Sequence, residues 1–225
     1  MGYSLLMNVM LPKRMTVDEF LAWAEDRPGR YELVDGVVYQ ISPERASHAE
    51  TKHVICVALK SAIKRSGLPL FAMPDGMTVR ITGKTAYEPD ALVYLGPRMG
   101  PKDIEVPRVV IVVEVLSPGT RAYDSGGKLA GYFSVPSIQH YLMVDADQRL
   151  VVHHRRQSAH GEAIATDIRR DGDLLLDPPG LIVPVAEMFA DLDDQAGRPP
   201  RLPARSRHRS HPFALNSQAG QLSQP

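Results

Sequence analysis

Val109-Val110-Ile111-Val112-Val113-Glu114-Val115-Leu116 sets one glutamate inside a run of seven Val, Ile and Leu residues. That composition suits a strand buried on both faces. A carboxylate there is costly unless it is neutralised, paired or bound to a cation. A second acid, Asp90, opens another apolar run, Pro89-Asp90-Ala91-Leu92-Val93-Tyr94-Leu95. If the two strands are neighbours, both carboxylates point into one pocket. Crowded acids repel, and one stays protonated unless a cation lies between them. Magnesium suits such a pair, because it takes oxygen ligands and only one or two carboxylates beside water and phosphate. The Val115 main-chain carbonyl is a candidate third ligand. Bound metal of this kind lowers the pKa of a water and stabilises charge at a phosphate. The competing reading pairs Glu114 with a buried lysine or arginine and gives it no chemistry.

Lys128 follows in the next helix-like segment, with Asp124 one turn before it and Tyr132 one turn after. Asp124 and Lys128 at i,i+4 could form an exposed ion pair worth a few tenths of a kcal/mol. Alternatively the Lys128 ammonium reaches the metal pocket, positions the attacking water and holds a phosphate oxygen. Ser117-Pro118-Gly119-Thr120 joins strand to helix, where a helix N-terminus and Arg121 could meet a phosphate. Glu32 is a further metal ligand or half of a hairpin ion pair. His48 contacts phosphate or simply begins its helix. Phosphate-loop and dinucleotide motifs are missing, and no His-x-x-x-His pair is present to bind zinc. Ser117 and Cys56 lack a histidine–acid partner pattern for nucleophilic catalysis.

The elements that must position these groups can be read along the chain. Thr16 to Glu19 forms a capping box, with Met15 and Phe20 as a hydrophobic staple, and opens a short helix to about Glu25. Two strand-like runs flank Asp35-Gly36, a hairpin signal. Ser47-His48-Ala49-Glu50 reads as a second capping box, before a helix that Gly67 stops. Lys52, Lys60, Lys64 and Arg65 on that helix read as a solvated face. Strands are expected at 70–73, 77–81, 90–95, 109–116, 138–144 and 150–154, and weaker ones at 163–168, 174–176 and 181–183. Thr120 to Ser134 reads as a helix despite Gly126-Gly127, which cost about 1 kcal/mol each there. That pair marks either an error in the helix assignment or the close approach of another backbone. A short helix is expected at 185–189.

The chain has 225 residues with 44% hydrophobic and 23% charged side chains, enough for one domain with a core. Its net charge of zero hides an asymmetry: all 26 acidic residues lie at or before Asp194, while Arg198, Arg201, Arg205, Arg207 and Arg209 follow it. The body thus carries 21 basic against 26 acidic residues, which does not advertise a nucleic-acid surface. The expected organisation is a flexible segment 1–13, a folded domain 14–194 and a disordered Arg/Pro/Ser-rich tail 195–225. Cys56 alone excludes an internal disulfide and a cysteine zinc cluster, and reads as a buried thiol. With no apolar run near ~18 residues and no leader pattern, a cytoplasmic protein is expected, without a membrane partner.

Taken in order, Tyr31-Glu32-Leu33-Val34-Asp35-Gly36, Ser47-His48, Pro89-Asp90, Val113-Glu114-Val115-Leu116-Ser117-Pro118, Asp124, Lys128 and Tyr132 resemble the Uma-type restriction endonuclease family of the PD-(D/E)xK nuclease superfamily. The resemblance runs from about Thr16 to Arg155. It implies an α/β (α+β) fold with a restriction-endonuclease-like core: a mixed central sheet flanked by helices, with an N-terminal hairpin. It implies Asp90 and Glu114 as ligands of Mg²⁺, or Mn²⁺, and a nucleic-acid substrate, DNA above RNA. Where the superfamily pattern has lysine, two residues after the glutamate, this chain has Leu116; family members similarly supply the lysine from the following helix, here Lys128. The expected activity is metal-dependent hydrolysis of DNA phosphodiesters, in a monomer or a homodimer. Two rivals remain open: a nuclease fold that only binds nucleic acid or a partner, and a hydrolase of small phosphate esters.

Overall fold

The computed structural model describes residues 14–116, 126–157, 163–190 and 192. The segment 1–13, the tail, Ser117, Thr120, Arg121 and Asp124 lie outside the described residues, with whatever is expected of them. Three helices appear: α1 (Val17–Glu25), α2 (Ala46–Ser66) and α3 (Gly127–Ser134). Twelve strands accompany them: β1 (Tyr31–Val34), β2 (Val37–Gln40), β3 (Leu70–Pro74), β4 (Val79–Thr82), β5 (Thr85–Tyr87), β6 (Ala91–Leu95), β7 (Val109–Val115), β8 (His140–Asp145), β9 (Leu150–Arg156), β10 (Ile164–Arg169), β11 (Asp173–Leu176) and β12 (Leu181–Pro184). Residues Val185–Phe189 form a 3-10 helix.

A six-stranded sheet in the order β10-β9-β8-β7-β6-β3 is the frame. Its β7–β8 pair is parallel and every other pair antiparallel, so the sheet is mixed as expected. All seven residues of β7 are buried, which its near-continuous Val/Ile composition requires. On one face α2, β11, β12 and the 3-10 helix pack against Val93, Ile111, Val113, Leu142 and Val144. On the other face α3 supplies Tyr132 and Phe133 against Leu92, Tyr94, Val112 and Tyr141. The sheet is therefore sandwiched, and its central strands expose neither face to water.

A second sheet, β2-β1-β5-β4, carries the N-terminal hairpin. Asp35 and Gly36 both take left-handed backbone angles, φ 49° and 80°, as a two-residue hairpin turn demands. Gly36 is further required because a Cβ there would lie 2.9 Å from Arg14 Cβ and 3.0 Å from the Met15 carbonyl. The capping box at Thr16 and Glu19 is present, and Met15 packs with Phe20 in a small cluster around Leu33. Strand β5 has no counterpart among the expected elements: three residues carry too little periodicity to mark it. The runs around Pro74-Asp75-Gly76 separate, β3 joining the six-stranded sheet and β4 the other.

Three expectations for the helices need correction. Helix α2 starts at Ala46 with Arg45 as N-cap and no side-chain cap, so Ser47 to Glu50 is not a capping box. Lys52 is not solvated but buried, because it sits on the Ile55–Leu59 stripe. Lys60, Lys64 and Arg65 are exposed, as expected, and Gly67 ends the helix with φ 67°. Gly126 and Gly127 fall at the start of α3, where an added Cβ at either meets nothing within 4 Å. They mark the start of this helix, and among the described residues no backbone presses against them. Cys56 is buried and its thiol pKa is raised by that burial. Among the described residues no helix is long and apolar enough to cross a membrane.

Candidate active site

The β6–β7 register pairs Ala91 with Val113 and Leu92 with Val112. Continued by one step, it sets Asp90 directly across from Glu114. Residues opposite one another on antiparallel strands share a face, with Cβ atoms about 4.5–5.5 Å apart. Asp90 accepts the Val115 main-chain N–H at 2.7 Å, which locks its carboxyl to the end of β7. The two acids line one cleft of about 790 Å³ with Val115, Lys128, Glu32 and His48. Five of the residues singled out from sequence thus converge with Glu114 on a single cavity.

Each side of the cleft contributes a set of charges. From α3, the Lys128 ammonium donates to Glu114 Oε1 and to Glu32 Oε1, both at 3.0 Å. One turn on, the Tyr132 hydroxyl donates to Glu114 Oε1 at 2.6 Å. From β1, Glu32 Oε1 also accepts the Glu88 N–H at 3.0 Å. From α2, His48 places Nε2 3.0 Å from the Val115 carbonyl and 3.9 Å from Asp90 Oδ2, and Nδ1 2.7 Å from Glu44 Oε2. One turn further along α2, Lys52 donates to Asp75 at 2.6 Å, contacts Glu44 at 2.5 Å and lies 3.7 Å from Asp90 Oδ1. Arg30 closes the rim with Asp75 at 2.7 Å and Glu88 at 2.5 Å.

Burial dominates the acids. It pushes the Glu114 carboxyl up to about 8, with the charges of Asp90 and Glu32 adding to it and Lys128 and Tyr132 opposing. Burial also raises Asp90, against the Val115 N–H, His48, Lys52 and Lys128. Glu88 rises for the same reason, with Arg30 opposing. Lys52 is raised although its own burial works the other way, because Asp75 and Glu44 both accept from it. On the α3 side, one ammonium faces the three carboxylates Glu32, Asp90 and Glu114. It does not bring Glu114 back to its ordinary range.

The donor set fits magnesium. Two carboxylates and a main-chain carbonyl offer oxygen alone, and the Val115 carbonyl keeps a lone pair beyond the one facing His48. Among the described residues no group of three or more His, Cys, Asp or Glu side chains is placed to hold a metal ion. Sequence reasoning gives no role at the site to Lys52, Asp75, Glu88, Arg30 or Tyr132. Lys52 is detectable as the one charge on the buried stripe of α2, and Tyr132 as the residue four after Lys128. Asp75, Glu88 and Arg30 come from separate segments, and no local signal ties them together.

Fold and cleft together define a nuclease-like α+β domain with paired acids at the end of a buried strand. The chain belongs to the Uma2 family, described as a putative restriction endonuclease family, whose model matches residues 17–186. It is 30% identical over 136 residues to the uncharacterized protein slr1290 of Synechocystis sp. (strain ATCC 27184 / PCC 6803 / Kazusa), covering 59% of this chain and 70% of that protein. The crystal structure of a putative nuclease belonging to DUF820 from Anabaena variabilis ATCC 29413 shares the fold, with a TM-score of 0.57 and 19% identity, covering 78% of this chain and 97% of that one.

Proposed function

We propose that this protein is a magnesium-dependent endonuclease that hydrolyses DNA phosphodiester bonds. The observation that carries the reading is the opposed pair Asp90 and Glu114, buried, raised in pKa and open to a cleft. Asp90, Glu114 and the Val115 carbonyl would hold the ion, which when bound supplies a nucleophilic water at neutral pH and charge neutralisation at the phosphate.

The chain's own groups do the rest. The Lys128 ammonium, anchored between Glu32 and Glu114, stands where it can orient the attacking water and hold a non-bridging phosphate oxygen. The water oxygen adds to phosphorus as it gives up a proton to solvent, one P–O ester bond breaks, and the departing oxygen takes up a proton from solvent. Tyr132 fixes the rotamer of Glu114, while His48 and Lys52 steady Asp90 and the Val115 carbonyl from the α2 side.

Purified protein should nick supercoiled plasmid with Mg²⁺ or Mn²⁺ and stop when EDTA is added. Asp90→Asn and Glu114→Gln should each lower the rate about a thousandfold or more, since several kcal/mol of charge stabilisation is lost. Equal nicking by wild type and both variants would overturn the assignment. Activity on a chromogenic phosphodiester with none on plasmid would move the substrate to small esters.

A further inference from the structure

Tyr39 is 49% exposed, and among the described residues it is the only aromatic side chain in the set of exposed large apolar residues. It packs in none of the core clusters, yet it lines the same cleft as Asp90, Glu114 and Lys128. Its position is tightly determined. Tyr39 is the cross-strand partner of Glu32 on the β1–β2 hairpin, so the two side chains share a face. Glu32 holds Lys128, which holds Glu114. The ring therefore stands on the wall directly beside the charged centre, on the edge strand of its sheet. Gln40 and Arg45, both exposed, line the cleft near it. The Arg45 guanidinium has no acceptor among the described residues.

The charge of the cleft narrows what this ring can meet. Among the lining residues six carboxylates stand against four lysines and arginines. A duplex recruited along its phosphates needs a basic stripe, which the described lining residues do not form. Base–aromatic stacking adds affinity beyond the backbone's charge and tolerates any sequence. Inside a duplex, however, the faces of the bases are already covered by their neighbours. Resting on the nuclease reading above, we infer that the cleft takes an unpaired deoxynucleotide, its base stacked on Tyr39 and its phosphate between Arg45 and the acid pair. Single-stranded or frayed DNA is then the preferred substrate.

The test uses the full chain and a fluorescent 20-nucleotide single strand, the same sequence as a blunt duplex, and the same sequence as RNA. Binding is read by anisotropy in Ca²⁺ and cleavage in Mg²⁺. The single strand should bind about tenfold or more tightly than the duplex. Tyr39→Ala should erase that difference, Tyr39→Phe should preserve it, and Arg45→Ala should weaken binding and flatten its salt dependence. Because both side chains are exposed, thermal melts of the three variants should overlay wild type. Equal binding of single strand and duplex, or full single-strand binding by Tyr39→Ala, overturns the inference. Tighter binding of the RNA strand overturns the choice of DNA. Tyr39-dependent binding with no cleavage of any strand would sink the nuclease reading while upholding the stacking site.

Discussion

On β7, Glu114 is buried at one end of the six-stranded sheet; on the adjoining β8 and β9, His140 and His153 are buried as deeply. Both clusters are displaced from their ordinary pKa by desolvation, upward to about 8 for the acid and downward to about 4 for each histidine. They differ in how they are closed. The Pro178 carbonyl, 2.8 Å from His140 Nε2, can only accept, so that nitrogen carries the proton. His140 Nδ1 is then bare and accepts from His153 Nε2 at 2.9 Å. The histidine pair is a neutral chain of hydrogen bonds that ends on the Pro178 carbonyl, and neither ring lines the cleft. Around Glu114 the charges alternate but do not cancel, and the cavity lies open. A perturbed pKa is shared by both clusters; only the acid cluster opens on the cleft, and that makes it the candidate for chemistry.

With Asp90 and Glu114 left in place, the largest effect should come from Lys128, the cation that links Glu32 and Glu114. Lys128→Met keeps the aliphatic length on α3 and removes the ammonium, so Glu114 loses its strongest opposing charge and its pKa climbs further. Plasmid nicking should fall on the order of a hundredfold, the usual scale for deleting one preorganised donor. Near-wild-type rates in Lys128→Met would show that the ammonium is an ion-pair partner and nothing more, making the acid cluster as closed as the histidine pair.

The histidine pair predicts the opposite pattern, stability without activity. With folded values near 4 against 6.5 for the ordinary group, the unfolded chain binds more protons between those limits. Stability is therefore full above about pH 6.5 and is lost as pH falls toward 4. Protonating His140 puts a hydrogen on Nδ1 and turns its contact with His153 Nε2 into two donors facing each other. For one histidine the loss amounts to roughly 3 kcal/mol. His140→Gln should shrink this acid-induced loss in urea titrations across pH 4 to 7, and leave nicking at neutral pH within about twofold of wild type. An unchanged acid slope would mean that other groups carry it.

The same contrast explains why some of the molecule is legible in its sequence and some is not. Glu114 stands out because an acid inside Val109–Val115 contradicts the pattern around it, and Asp35-Gly36 because the turn needs two left-handed residues. Asp90 follows from the same logic. His140 and His153 break no pattern, since a histidine in a strand is unremarkable until its partners are known. Their pairing depends on the β8–β9 register and on a carbonyl from residue 178. Lys52 misleads because basic residues on a helix usually face water, although its spacing to Ile55 and Leu59 places it inward. Ser47 to Glu50 has the letters of a capping box, but the helix starts too early for Ser47 to be the cap. Long-range partners are the missing quantity in each case.

Tyr132→Phe probes the boundary between the two kinds of cluster with the smallest change. The tyrosine ring is fully buried between α3 and the sheet, and phenylalanine fills the same space, so packing is conserved. Only the hydroxyl's 2.6 Å bond to Glu114 Oε1 is deleted, while the Lys128 contact to that same oxygen remains. If the site works by holding Glu114 in one orientation for an ion, the apparent affinity for Mg²⁺ should weaken about three- to tenfold, the hydrogen bond being worth about 1 kcal/mol. The rate at saturating Mg²⁺ should change less than the affinity does. A Mg²⁺ titration of nicking separates the two. Should the rate at saturation collapse while affinity holds, the hydroxyl would be acting on the reacting phosphate itself, and Tyr132 would belong with Lys128 among the groups that touch substrate.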